Sequence, residues 1–360
     1  MAYKEGMQTK TSMTLADLRK PMLATLQGQS GDYTPIWLMR QAGRYLPEYR
    51  ALRAEAGSFL NLCYNPARAA EITLQPLRRF DLDAAILFSD ILVIPHALGM
   101  GLDFVEGEGP VLPPLSSLAD FDRLDISGFE QKLTSVYETL DILRGQLPDG
   151  KTLIGFAGAP WTVACYMLQG HGGGKFEKAC QLALADPQAF STFLLRLADV
   201  TAQYLCSQIR HGADVVQIFD SWAGLVPDAH FHDWIIAPAA RIVQTIKAQH
   251  PDTPVIGFPR QAGHNYTRYA RETGIAAMGL DQNADISAIP DDICIQGNLA
   301  PELLLAGGDD MKRAINDLMQ KTAHRRFIFN LGHGVIKETP PEHVADLIAA
   351  VRAFKRSAAA

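Results

Sequence analysis

The chain has 360 residues, of which 48% are hydrophobic and 20% charged, and its formal net charge is -6. This is globular composition with length for a large core, and the acidic balance argues against nucleic acid as a partner, since no basic face would follow a phosphate backbone. No stretch approaches 18 consecutive apolar residues, so no membrane-spanning helix is expected.

Residues 1–11 are polar and hold no apolar signal core. The expected organisation is a polar tail over residues 1–15 and one domain over 16–357, in a cytoplasmic protein. The five cysteines, Cys63, Cys165, Cys180, Cys206 and Cys294, are widely spaced and form no CxxC pair, which fits reduced thiols.

Eight short apolar, β-rich runs follow one another near residues 36–39, 84–88, 152–157, 214–219, 254–258, 275–280, 293–297 and 326–330. Helical patterns lie between most of them, as at 67–79, 187–210 and 232–249. Strand and helix alternating along the whole chain predict an α/β fold with a parallel sheet. Eight such units, with no Gly-x-Gly-x-x-Gly turn after the first run, favour a single (β/α)8 TIM-type barrel over a doubly wound sheet. The stretch 99–125, rich in Gly, Pro, Asp and Glu, reads as an insertion after the second strand.

Polar residues recur just past the runs. Arg40 follows the first, Ser89 and Asp90 the second, and Asp220 and Ser221 the fourth. Arg260 follows the fifth, Asp281 the sixth, Asn298 the seventh and His333 the eighth. In barrels of this type the active-site cleft lies at the C-terminal ends of the strands.

The densest chemistry follows the first run. Arg40, Arg44, Arg50 and Arg53 fall within fourteen residues, and Gly43 and Pro47 break any long helix there. Two readings stand: a local clamp for carboxylates or phosphates, or a solvated loop whose arginines pair with Glu48 and Glu55. Arg50 reads as an outer ion-pairing residue.

Asp90 sits between apolar residues in Phe88-Ser89-Asp90-Ile91. It is either a helix cap or a carboxylate pointing inward, with Ser89 capping in its place. Tyr166 reads from the residues alone as a core tyrosine, and Phe156 and Phe219 as barrel core or an apolar wall. Ser221 lacks a Gly-x-Ser-x-Gly elbow, which argues against a serine nucleophile. His333 lies between two glycines, where backbone can approach a ligand closely. The stretch Gly170-His171-Gly172-Gly173-Gly174-Lys175 fails as a phosphate loop, because Gln169 precedes it and Phe176 follows the lysine.

Pro-x-Trp-x-Met-Arg-Gln-Ala-Gly-Arg, from Pro35 to Arg44, is similar to the first signature of the uroporphyrinogen decarboxylases. The stretch Gly155-Phe156-Ala157-Gly158-Ala159-Pro160-Trp161-Thr162, continuing to Tyr166, resembles their second. Phe88-Ser89-Asp90-Ile91-Leu92 and Asn330-Leu331-Gly332-His333-Gly334 are further matches, and together they run in register from about residue 20 to 350.

The resemblance implies a homodimeric enzyme that removes CO2 from the four acetate arms of uroporphyrinogen III, giving coproporphyrinogen III without metal or organic cofactor. It implies that Arg40, Arg44 and Arg53 hold and process carboxylate arms. Asp90 would accept hydrogen bonds from the pyrrole N–H groups. Gln41, Phe156, Tyr166, Phe219, Ser221 and His333 would line the substrate, with Asp90, Arg40, Arg53 and Tyr166 carrying the chemistry.

Two other classes are set against this one. A corrinoid-type methyltransferase of the same superfamily would need a His-x-Cys zinc pair, and no histidine here has a cysteine two positions later. A non-catalytic tetrapyrrole carrier would not need the intact set of Arg40, Arg44, Arg53, Asp90, Tyr166 and His333.

Overall fold

The computed structural model describes residues 20–29, 33–105, 107 and 109–355. The expected tail over residues 1–15 lies outside the described residues, as do residues 16–19, 356 and 357 at the ends of the expected domain.

The strands, numbered along the chain, are β1 (Ala84–Ile86), β2 (Asp103–Val105), β3 (Gly109–Val111), β4 (Thr152–Gly158), β5 (Val215–Asp220), β6 (Val255–Pro259), β7 (Ala277–Gly279), β8 (Ile295–Leu299) and β9 (Phe327–Leu331). β2 and β3 form an antiparallel hairpin. The other seven make one parallel sheet in sequence order, β1-β4-β5-β6-β7-β8-β9. Every residue of β4 is buried. A parallel strand has helices on one face and the barrel interior on the other, so its sequence is continuously apolar and not alternating.

The first predicted run does not form a ladder strand. It makes one isolated parallel bridge, Ile36 to Phe329 of β9. Its backbone nevertheless serves both edges of the sheet. Phe329 N–H donates to Pro35 C=O at 2.8 Å, and Asp83 N–H, just before β1, donates to Ile36 C=O at 2.8 Å. Pro35 has no N–H to extend the ladder. Ile36 N–H goes instead to the Asp83 carboxylate at 2.7 Å. Arg40, in the left-handed region at φ 62°, then turns the chain away. The segment is the eighth stave and closes the barrel.

A compact cluster fills the interior toward the N-terminal ends of the staves. Trp37, Ala84, Ile154, Val215, Ile256, Ala277, Cys294 and Ile328 supply one residue each from the eight staves in turn. The helix Pro21–Leu26 adds Met22 and Leu26 and so plugs this end. Lys20 ties it down through Asp214 at 2.5 Å. The larger core lies between sheet and helices.

The pattern at 187–210 is realised as the helix Pro187–Arg210. Pro187 opens its first turn, and the Asp186 carboxylate accepts Ala189 N–H at 3.0 Å. The pattern at 232–249 divides into a wide π turn, His232–Ile236, and the helix Ala237–Gln249. Pro238 has no N–H to give Trp234, so the α pattern loosens before it.

The insertion supplies the β2–β3 hairpin and the 3-10 turn Leu118–Arg123. It docks at the barrel mouth against the end of the helix Pro160–Gln169: Leu112 N–H donates to Gly170 C=O at 2.6 Å and Leu115 N–H to Met167 C=O at 2.8 Å. Among the described residues, no helix is long and apolar enough to cross a membrane.

Candidate active site

Arg40 follows the first stave and lays its side chain across Gly334 in the loop after β9. Water reaches this side chain, yet protein surrounds it on most sides, as on the wall of a cleft. Burial lowers its pKa, and the Arg44 cation lowers it further. Tyr166 and Asp90 oppose that shift, and Arg260 adds to it. One guanidinium therefore senses groups from the segments that follow the first stave, β1, β4 and β6.

Among the described residues, Arg40, Arg44, Arg53 and Arg260 form no ion pair. The solvated-loop reading required Glu48 and Glu55 as partners. Glu48 is instead held by Arg79 through two bonds of 2.9 Å, and Glu55 pairs with none of the four. Arg50 makes no ion pair among the described residues either. Its Nη1 donates to the carbonyls of Arg44 at 2.8 Å and Tyr45 at 3.0 Å, clamping the loop backbone.

Arg53 comes from the helix Pro47–Glu55 and donates to Gly57 C=O at 3.2 Å. The buried Cys63 thiol locates it relative to Asp90. Burial pushes that thiol's pKa up, Asp90 adds to the rise and Arg53 opposes it.

The Gln41 side chain is engaged within the fold. Its Oε1 accepts Leu38 N–H at 3.1 Å and its Nε2 donates to Ala84 C=O at 2.9 Å, with the residue only 1% exposed. Its side chain staples the arginine loop to β1.

Asp90 is not the helix cap, which is Leu92, but one of its oxygens shapes the turn before the helix. Oδ1 accepts Leu92 N–H at 2.8 Å, an Asx-type turn before the helix Val93–Ala97. Oδ2 has no protein hydrogen-bond partner among the described residues. Burial pushes the carboxyl up to about 6, against the Leu92 N–H and the Arg40 cation. Ser89 does not cap; its buried Oγ makes no hydrogen bond of good geometry and lies close to the Tyr204 hydroxyl.

Tyr166, on the helix Pro160–Gln169, is half-buried and packs its ring edge-on against Phe176 at 5.4 Å. Burial raises its pKa, so it is a neutral donor; Asp90 raises it further, while the nearby Trp222 indole and Arg40 lower it. Gly172 lies against the Tyr166 ring, which places the glycine-rich loop beside this residue. Phe156 and Phe219 meet edge-on at 5.6 Å, and Phe258 meets Phe219 edge-on at 5.9 Å. Ser221 is half-buried, one residue past β5, and its hydroxyl makes no hydrogen bond among the described residues.

His333 accepts Gly334 N–H on Nδ1 at 2.6 Å. That bond leaves Nε2 as the protonated nitrogen of the neutral ring. Burial, with Arg40 and Arg260, pushes its pKa down to about 4, and Asp281 opposes the fall. At neutral pH it is therefore a hydrogen-bond donor and not a cation.

Arg260 is the site residue that residue typing did not single out beyond its place after the fifth run. Asp281 proves to be scaffolding: its buried carboxylate accepts Gln261 N–H at 2.6 Å, Asn283 N–H at 2.9 Å and the Tyr266 hydroxyl. Asn298 braces the same loop through the Asp281 carbonyl at 2.8 Å. Asp220 bonds the Thr162 hydroxyl at 2.5 Å, and burial pushes its carboxyl up to about 7. No three His, Cys, Asp or Glu side chains among the described residues group as a metal site.

Guanidinium groups without a carboxylate partner among the described residues, one carboxylate with a spare oxygen and two edge-on phenylalanines stand at the C-terminal ends of the strands of a (β/α)8 barrel. The chain belongs to the uroporphyrinogen decarboxylase family: the family model described as "Uroporphyrinogen decarboxylase (URO-D)" matches residues 17–354. Its relatives include the uroporphyrinogen decarboxylase of Granulibacter bethesdensis, 51% identical over 342 residues, covering 93% of this chain and 99% of that one. That of Sphingopyxis alaskensis is 52% identical over 337 residues, covering 92% and 98%. Among solved structures, a methyltransferase from Methanosarcina mazei aligns with a TM-score of 0.74 at 18% identity, covering 93% of this chain and 98% of that one. At that identity the likeness concerns the barrel and not the chemistry.

Proposed function

We propose that this chain is a decarboxylase that converts the four acetate arms of uroporphyrinogen to methyl groups, releasing four CO2 in tetrapyrrole biosynthesis. One observation carries the reading: among the described residues Arg40, Arg44 and Arg53 have no carboxylate partner, and Asp90, which acts on Arg40, has an Oδ2 that is likewise unengaged. An octacarboxylate with convergent pyrrole N–H groups matches both halves of that arrangement.

The chemistry needs a place for two electrons when the C–CO2 bond breaks. A pyrrole protonated on ring carbon supplies it: the bonding pair flows into the ring cation and CO2 leaves. The exocyclic methylene then takes a proton to become methyl, and the ring carbon gives one up. Asp90, ionised above about pH 6, stabilises the ring cation through its N–H groups. Arg40 and Arg53 flank the reacting carboxylate, and the lowered pKa of Arg40 supports a part for it in proton delivery. Arg44 anchors a propionate, and Ser221, Tyr166 and the His333 Nε2–H supply neutral donors. Phe156 and Phe219 shield the reacting arm from bulk water.

The reading extends to residues 16–357 acting as one barrel domain, in a cytoplasmic homodimer that needs no metal or organic cofactor. The missing His-x-Cys pair supports the last point, and the family resemblance supports the dimer. The test is anaerobic incubation of chelated, dialysed protein with uroporphyrinogen III, followed by counting carboxyl groups on the product. Loss of four is expected. A bound tetrapyrrole that keeps all eight would make the protein a carrier, and activity restored only by zinc would contradict the mechanism.

A further inference from the structure

Arg260 is held at its base by three loops. It is the first residue past β6. Its N–H donates to Asp220 C=O at 3.0 Å, and its C=O accepts Gly224 N–H at 3.1 Å. The next residue, Gln261, is held in the left-handed region at φ 62°, and its N–H is gripped by the Asp281 carboxylate at 2.6 Å. Residue 224 must be glycine for this turn to fit, since a Cβ there would lie 2.6 Å from Gln261 Cβ. Three loops thus fix the base of one arginine.

The guanidinium so presented has no acceptor. Nε is buried without a hydrogen-bond partner, and no carboxylate pairs with the group among the described residues. It lies close enough to Arg40 and to His333 to act on both. Two guanidinium groups brought together without an anion repel one another, and a carboxylate between them removes that cost. The neutral His333 Nε2–H adds a third donor on the same side.

We infer that Arg260 is a further substrate-binding residue, donating its guanidinium to a substrate carboxylate on the Arg40–His333 side of the mouth. This rests on the decarboxylase reading and adds to it a cation from the loop after β6. Arg260 touches the substrate directly and takes no part in proton transfer.

The experiment is steady-state decarboxylation of uroporphyrinogen III by wild type, Arg260→Gln and Arg260→Lys, with folding checked by circular dichroism and thermal melting. Wild-type turnover establishes the decarboxylase reading separately. In Arg260→Gln the KM rises about ten- to hundredfold, as for loss of a charge-assisted hydrogen bond, while kcat stays within about threefold. Arg260→Lys keeps the charge but loses the planar fork, so its KM rises about three- to tenfold. A purely structural role would lower the melting temperature and the active fraction without this split. Wild-type KM in either folded variant, in an enzyme whose wild type turns over, overturns the inference and leaves the decarboxylase reading standing.

Discussion

The side chain of Arg40 and the α-carbon of Gly334 are in direct contact: a Cβ added to Gly334 would lie 2.3 Å from Arg40 Cδ and 2.8 Å from its Nε. The loop after the last strand therefore forms the bed on which the first stave's arginine rests. The absence of one methyl group sets where the guanidinium points.

Gly334→Ala is expected to displace Arg40 without unfolding the barrel, because the clashing atoms belong to a side chain that water already reaches. The kcat/KM should fall about 10- to 100-fold, as for misplacement of a reacting group by about 1 Å, with little change in melting temperature. Full activity in the alanine variant would show that Arg40 does not act from this position.

Arg44 and Arg53 separate by role. Arg44→Ala should raise KM with little change in kcat, through loss of an interaction worth about 1.5–3 kcal/mol. Arg53, which together with Asp90 acts on the Cys63 thiol, should lower kcat when replaced by alanine. Initial-rate kinetics on both variants check this, and an unchanged KM for Arg44→Ala contradicts its anchoring role.

The raised carboxyl of Asp90 gives two pH effects of opposite use. The active form has Asp90 ionised, so kcat/KM should decline as pH falls through about 6. His333, pushed down to about 4, stays neutral from pH 5 to 8 and gives no second limb in that window. For stability the sign reverses. The native carboxyl binds its proton more tightly than the unfolded one, with its ordinary value of 3.8. Its stabilising contribution is full below 3.8 and lost as pH rises through about 6. Asp90→Asn keeps the Leu92 N–H bond and sheds the buried charge, so at pH 8 it should be more stable than wild type by up to about 3 kcal/mol. Denaturant unfolding at pH 8 and pH 4 checks the sign: the gain should vanish at the lower pH.

Much of the barrel was legible because its parts are local. Pro187 and Asp186 mark the start of the long helix, and its apolar face runs unbroken to Arg210. The first stave was legible as an apolar run, but its shortness was not. That depends on Asp83, far along the chain, taking the Ile36 N–H. The same limit governs the site. Arg260 was visible as a residue after the fifth run, but its lack of a partner among the described residues exists only once the fold has placed their carboxylates elsewhere. Gln41 sits in the arginine motif, yet its amide is committed to Leu38 and Ala84, a contact no spacing reveals. Asp90 could be read as cap or as inward carboxylate; it forms a turn with Leu92 before the helix through one oxygen and leaves the other without a partner among the described residues.

The account stands on Asp90 as the charge that stabilises the protonated pyrrole. Single-turnover decarboxylation at saturating uroporphyrinogen III tests it most directly, in wild type, Asp90→Asn and Asp90→Glu. Asn replaces an oxygen that accepts pyrrole N–H bonds with an NH2 that cannot, so the rate should fall at least about 100-fold, more than binding does. Glu keeps the charge one methylene away and should retain part of the rate. A folded Asp90→Asn enzyme turning over at the wild-type rate would contradict the account and leave Asp90 only its turn with Leu92.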